Sequence, residues 1–176
     1  MRNKIFISHA TPDDNDFTKW LSLKLVGLGY EVWCDVLFLD KGADFWKIIE
    51  KEIRENAIKF LLVTTEIAIK REGVLREITV AEKVKKVLKD DNFIIPLMVD
   101  EKLSYDDLPP EIIRINAIDF KKSWATGLID LLDALEKQLV YKNSPAPNKS
   151  NSLYQQIFLH NKTSIEKEEI YDSKWF

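Results

Sequence analysis

The chain has 176 residues, 45% hydrophobic, 31% charged and 11% aromatic, enough apolar side chain for one globular domain and too much for wholesale disorder. Twenty-six Lys and Arg stand against 29 Asp and Glu, a net charge of −3, so no basic excess marks a nucleic-acid binder. The single Cys34 excludes an internal disulfide framework and a Cys-built zinc site, and His9 and His160 are too few for a His-built one, so no metal is expected.

Residues 3–8 (Asn-Lys-Ile-Phe-Ile-Ser) read as a buried strand. Thr11 is placed to cap a following helix, with Pro12 at its first position and Asp13 and Asp14 at its positive end. Phe17, Trp20, Leu21, Leu25 and Leu28 then recur at helical spacing, and Gly27 and Gly29 end the run. Residues 30–34 are a second short strand, and 35–44 a loop rich in Asp, Lys and Gly. A helix is predicted from Phe45 to Asn56, with Ile48, Ile49 and Ile53 on one side. Residues 57–64 are apolar on both faces, as in a central parallel strand. A helix over 74–89 carries Leu75, Ile78, Ala81, Val84 and Leu88. Strand four is expected at 93–99, where Pro96 calls for a bulge or an edge. Strand five is expected near 113–119, and a last helix over 124–139 packs Leu128, Leu131, Leu132, Leu135 and Leu139.

Five alternations of strand and helix imply an α/β fold, a five-stranded parallel sheet with helices on both faces, flavodoxin-like under right-handed crossovers. Ligands of such sheets gather beyond the carboxyl ends of the strands, here Ser8-His9-Ala10, Asp35 with its loop, and Thr64-Thr65. No apolar run approaches the ~20 residues of a membrane helix, and Ile5-Phe6-Ile7 is too short for a signal-peptide core. The expected compartment is the cytoplasm, without membrane association.

The five glycines build no dinucleotide fingerprint, since Val32 stands where Gly27-Leu28-Gly29 needs its third glycine. A P-loop, a hydrolase elbow and a zincin motif are missing as well. After Val140 the composition changes. Residues 141–152 read as a linker, and 153–159 are apolar again without a partner element, as if the chain, which stops at the apolar Trp175-Phe176, continued.

Individual residues have a plain and a functional reading. His9 is either a loop histidine or a ligand contact beside Ser8. Trp33 and Trp46 are either core or stacking surfaces flanking the 35–44 loop. Asp35, Asp40 and Asp44 are either ordinary loop acids or, with Lys41, an interaction surface. Leu37, Phe38 and Leu39 are three consecutive apolar residues on the same loop, which marks a contact surface. Cys34 reads as an inert core thiol. Glu77 is one of many helix glutamates by spacing alone. It nevertheless falls in the first turn of the helix after strand three, between apolar Leu75 and Ile78, where a carboxylate would border a cleft.

Three stretches, Ile5-Phe6-Ile7-Ser8-His9-Ala10, then Gly29-Tyr30-Glu31-Val32-Trp33-Cys34-Asp35, then Leu39-Asp40-Lys41-Gly42-Ala43-Asp44, resemble in order and spacing the first strand, second strand and BB loop of a TIR domain. The resemblance covers about residues 1–140. The whole chain is similar to the N-terminal part of TIR–APAZ proteins, which pair with a short prokaryotic Argonaute in antiphage defence, 153–176 resembling the opening of the APAZ region. The resemblance implies NAD cleavage at the nicotinamide–ribose bond, with NAD as substrate and no cofactor. It implies Glu77 as the catalytic carboxylate, and Ser8, His9, Trp33, Asp35, Asp44 and Trp46 as substrate contacts. Leu37, Phe38, Leu39 and Lys41 would serve association with other TIR domains. The family's Ser-x-Trp-Cys-x-x-Glu pattern stands here as Arg71-Glu72-Gly73-Val74-Leu75-Arg76-Glu77, without its tryptophan; Trp46 or Trp33 is left to stack the ligand.

One carboxylate suffices for that chemistry. Nicotinamide in NAD is already cationic and leaves without protonation, so the site has only to stabilise an oxocarbenium-like sugar. The resemblance makes guide and target nucleic acid partners of the Argonaute, not of the TIR domain itself. A second expectation is a TIR scaffold that signals through TIR–TIR contacts without catalysis. A phosphoacceptor receiver domain shares the sheet, but strand three would have to end in aspartate, and it ends in Thr64-Thr65.

Overall fold

A computed structural model describes residues 2–37 and 43–142. The expected self-association residues Phe38, Leu39 and Lys41 lie outside the described residues, as do Asp40, the side chains of Leu37 and Asp44, most of the 141–152 linker and all of 153–176. Five strands, β1 (Lys4–Ser8), β2 (Glu31–Cys34), β3 (Ala57–Thr64), β4 (Ile94–Met98) and β5 (Ile118–Asp119), pair in parallel in the order β2-β1-β3-β4-β5. The expected α/β class and five-stranded parallel sheet are therefore what the chain adopts.

Strand alternation divides the side chains of β1 cleanly. Ile5 and Ile7 pack with α1 (Asn15–Gly27) and α4 (Trp124–Lys137), whereas Phe6 packs with α2 (Ala43–Lys51), the π-helical turn Glu52–Asn56 and α3 (Glu72–Leu88). On the second face Phe6 stacks on Trp33 with ring centroids 4.7 Å apart and on Phe60 at 5.4 Å, three rings in a row across β2, β1 and β3.

Several boundaries differ from expectation. Helix α1 begins at Asn15, four residues beyond Thr11. The Thr11 hydroxyl lies 3.1 Å from His9 Nε2 and 3.3 Å from Asp35 Oδ1, and so serves the strand ends rather than a helix cap. At the far end Gly27 is still helical, while Gly29 takes φ 93°, a left-handed turn open to glycine, and leaves Leu28 exposed. Of the three isoleucines expected on one side here, Ile49 in α2 and Ile53 in the turn after it are buried, whereas Ile48 sits about 100° round the helix and is exposed. Strand β5 has two residues, because Tyr105 Oη donates to Ile115 O at 3.0 Å and accepts from Ala117 N at 2.6 Å, so the preceding segment folds on Tyr105 instead of the sheet. Helix α4 ends at Lys137, and Leu139 beyond it is exposed.

Pro96 sits within β4 without a register shift against β3. Val99 N donates toward β3 and Met98 O accepts from β5's side, so alternation turns Pro96 toward β5. Pairing with β5 begins only at Leu97–Ile118, so the missing N–H faces edge, as a strand proline requires.

Candidate functional site

The sheet order reverses direction of growth between β1 and β3, and a doubly wound sheet opens its crevice at that point, beyond the carboxyl ends. Ser8 ends β1 there. The parallel register with β2 ends at Ile7↔Cys34, and Asp35 opens the short 3-10 turn Asp35–Leu37 beyond it. Ser8 lies two residues past Phe6, on the face of β1 where Phe6 stacks on Trp33. Helix α3 brings Glu77 to Ser8. The Ser8 hydroxyl donates to Glu77 Oε2 at 2.5 Å.

Helix α3 starts at Glu72, so Glu77 is in its second turn and not its first. The buried stripe is Val74, Glu77, Ile78, Ala81 and Val84, with Leu75 and Leu88 exposed. The helix is thus rotated from the all-apolar reading, and Glu77, 7% exposed, lies inside the stripe instead of at a cleft's rim. Burial pushes its carboxyl up from 4.5 to about 8; the Ser8 hydrogen bond opposes that rise and the Asp35 charge adds to it. At neutral pH the group is mostly uncharged.

His9 points to the other face. Its side chain is fully buried, with Nε2 3.2 Å from Asp35 Oδ1 and 3.1 Å from both Asn15 Oδ1 and Thr11 Oγ1. Facing two oxygens that only accept, Nε2 carries the hydrogen; Nδ1 is buried without a hydrogen-bond partner. Asp14, held above its usual range by burial, accepts from Ala10 N and from Thr65 Oγ1, each at 3.1 Å. Arg71 pairs with Asp13 at 2.6 Å. These two links tie the β1–α1 loop to the β3–α3 connection, and neither was legible from spacing, since the partners are 51 and 58 residues apart.

Ser8, His9, Asp35 and Glu77 are therefore brought together. Trp33 is not available to a ligand: it is buried, its ring stacked on Phe6. Trp46 is half-buried on α2 with the Arg76 guanidinium 6.0 Å above its ring. A Cβ on Gly73, one turn before Glu77, would meet nothing within 4 Å. Cys34 is buried and its thiol pushed up to about 11, chiefly by burial, which keeps it unreactive. A groove of about 350 Å³ lies along the outer side of α3, lined by Leu75, Thr79, Lys83 and Pro109 among others, and does not include Glu77. Among the described residues no group of His, Cys, Asp or Glu suits a metal ion, and no helix is long and apolar enough to cross a membrane.

A family model described as TIR domain matches residues 5–132. The uncharacterized protein y4cD of Sinorhizobium fredii is 33% identical over 142 residues, which is 81% of this chain and 22% of that protein. The chain thus spans about a fifth of the length of that curated relative. The crystal structure of the TIR domain of the Toll-related receptor TRR-2 from Hydra magnipapillata superposes with a TM-score of 0.58 at 17% identity, over 75% of this chain and 97% of that one. That likeness is one of fold. The TIR domains of the activated Roq1 resistosome align at a TM-score of 0.48 and 16% identity, over 93% of this chain and 99% of that one.

Proposed function

This chain belongs to the TIR domain family, and on that premise we propose that it is a NAD glycohydrolase with Glu77 as its catalytic carboxylate. The observation that carries the reading is a buried glutamate held on Ser8 at the crevice of the sheet, a position where an acid costs stability and needs a reason. In the reaction the bond between ribose C1′ and the nicotinamide nitrogen breaks, its electron pair leaving with neutral nicotinamide. The Glu77 anion stabilises the oxocarbenium-like ribose, water adds to C1′, and the water's proton is released, giving ADP-ribose. Ser8 holds the carboxylate, and Asp35, Asp44 and His9 serve as substrate contacts. Trp46, beneath Arg76, takes over the stacking surface that Gly73 lacks.

A single protomer with Glu77 buried and mostly neutral is a resting form. Activation then requires assembly with other TIR domains through Leu37, Phe38, Leu39 and Lys41. The resemblance to TIR–APAZ proteins supplies the trigger, a short prokaryotic Argonaute loaded with guide and target nucleic acid in antiphage defence in the cytoplasm.

The scaffold reading has its own support: the same burial of Glu77, and Gly73 in place of the family's tryptophan. The two separate on one measurement, nicotinamide release from NAD by the chain with and without enforced oligomerisation. The glycohydrolase reading expects turnover on oligomerisation, lost by about 10²–10³-fold in Glu77→Gln. Turnover retained in that variant, or none in any oligomer of the wild-type chain, overturns it in favour of the scaffold.

A further inference from the structure

The pairing of β1 with β3 ends at Ser8↔Leu62. Beyond it β3 runs on beside β4, through Val63↔Leu97 and Thr64↔Met98, and the chain then turns through Ala68–Lys70 into α3. The Ser8–Glu77 hydrogen bond thus joins the end of β1 to a helix that begins well past the last rung of that ladder. Apolar packing presses α3 onto the sheet but is non-directional, and a hydrogen bond of 2.5 Å needs directional neighbours to hold it in place. A relay of hydrogen bonds spans the gap. Asp14 Oδ2 accepts from Ala10 N, two residues past Ser8, and from Thr65 Oγ1, one residue past β3, each at 3.1 Å. Thr65 Oγ1 accepts in turn from Ala68 N at 3.0 Å, so its single hydrogen is committed to Asp14. Ile69 N donates to Thr65 O, Arg71 N to Ala68 O and Leu75 N to Arg71 O, which carries the run into the first turn of α3.

We propose that Asp14 and Thr65 are positioning residues for Glu77: their relay fixes the start of α3 against the end of β1 and so holds the Glu77 carboxyl on the Ser8 hydroxyl. They act on Glu77 through the backbone of the β3–α3 connection. Asp14 precedes α1, yet its side chain makes no capping bond to that helix, so capping does not account for its burial. A carboxyl is costly to bury, and this one, 9% exposed, is spent on the tie between the two connections. Ala68 at the other end of the relay is fully buried, so water competes little for these bonds. Two other ties of the same connection lie at the surface, Asp13 to Arg71 and Glu66 N to Asp100 Oδ2 at 3.2 Å. Such contacts are open to water and hold geometry less firmly.

As a part of the glycohydrolase site the relay rests on the preceding reading, but its direct test does not. The Ser8 hydrogen bond opposes the upward push of burial on the Glu77 carboxyl, so losing it raises the midpoint further. The whole chain, carrying ¹³C-labelled glutamate side chains, is titrated by NMR from pH 4 to 10, the Glu77 carboxyl signal being identified by its loss in Glu77→Gln. Ser8→Ala is expected to raise the midpoint by about one pH unit. Thr65→Val, which keeps the shape and removes the hydroxyl, is expected to raise it by less, as is Asp14→Ala, and Thr65→Ser to restore it. Adding Thr65→Val to Ser8→Ala is expected to leave the midpoint where Ser8→Ala alone puts it. Near-UV circular dichroism reports the buried tryptophans and so the fold; should Asp14→Ala lose that signal, the Thr65 variants carry the test. An unchanged or lowered midpoint in folded Thr65→Val overturns the proposal, as does an equal effect of Thr65→Val with and without Ser8. A shift as large in Arg71→Ala would move the role to the surface tie and overturn it as well. In the enforced oligomer Thr65→Val should lower kcat for NAD about tenfold at unchanged KM. A raised midpoint in a chain that never cleaves NAD would remove the glycohydrolase and leave the relay. An unchanged midpoint in an active chain would do the reverse.

Discussion

On the face of the sheet covered by α1 and α4, Ile5, Ile7, Leu61 and Val63 meet Leu21, Leu25, Leu131 and Leu135, capped by the aromatic group Phe17, Trp20, Phe120 and Trp124. Along α1 the buried polar side chains are the hydroxyls of Thr18 and Ser22. On the opposite face a three-ring stack of Trp33, Phe6 and Phe60 fills the middle, and immediately beyond it α3 buries a carboxyl group. Among the described residues, only the second face places an acid within its helix stripe. A hydroxyl is cheap to bury and a carboxyl is not. The difference between the faces therefore separates an apolar packing surface from the surface that carries the candidate site.

The largest effect expected tests the claim that the stack is what seals the second face. Phe6→Ala removes its middle ring and should cost about 3–5 kcal/mol, read by urea denaturation, with loss of the near-UV signal of Trp33. A cost under about 1 kcal/mol would mean that Trp33 and Phe60 close the gap by themselves. Second is the acid. Below the unfolded value of 4.5 both folded and unfolded chains hold the Glu77 proton. Between there and about 8 the unfolded chain releases it while the folded chain keeps it, so folding stability declines as pH rises through that window. Glu77→Gln removes this decline and should gain on the wild-type chain between pH 5 and pH 8.5 by about 4 kcal/mol. Denaturation at the two pH values checks it, and a difference that does not change with pH would place Glu77 in contact with water.

The third prediction turns to the first face. A Cβ on Gly127 would stand 2.5 Å from the Phe120 ring, so Gly127→Ala should destabilise by about 1–3 kcal/mol through overpacking, independent of pH from 5 to 8.5. A pH-dependent cost would erase the distinction between the faces. The smallest effect concerns the link between the loops. The Asp13–Arg71 pair is largely exposed, and Arg71→Ala should change stability by no more than about 1 kcal/mol, less still at high salt. A larger loss in thermal melts would make the pair part of the site's framework.

Much of this was legible in the primary structure. Strand-length apolar runs alternating with helix-length amphipathic ones dictate a parallel α/β sheet, because the periods of 2 and 3.6 are local properties of the chain. The same ordering put Ser8, Asp35 and Thr64 at the strands' carboxyl ends, and the TIR resemblance singled out Glu77. Local pattern could not give the rotation of α3, since Leu75-Arg76-Glu77-Ile78 offers two apolar choices of buried face and only packing against β1 and β3 selects the one that carries Glu77 inward. It could not show that Thr11 serves Asp35 instead of a helix cap, because Asp35 sits 24 residues away. Nor could it tell Trp33 from Trp46, both aromatics beside one loop. Strand register set Trp33 on Phe6 and left Trp46 on a helix surface. Composition and spacing determined which side chains are present at the end of the sheet. Which of them touch, and therefore which acid keeps its proton, depends on contacts between residues far apart in sequence, and those exist only once the sheet has formed.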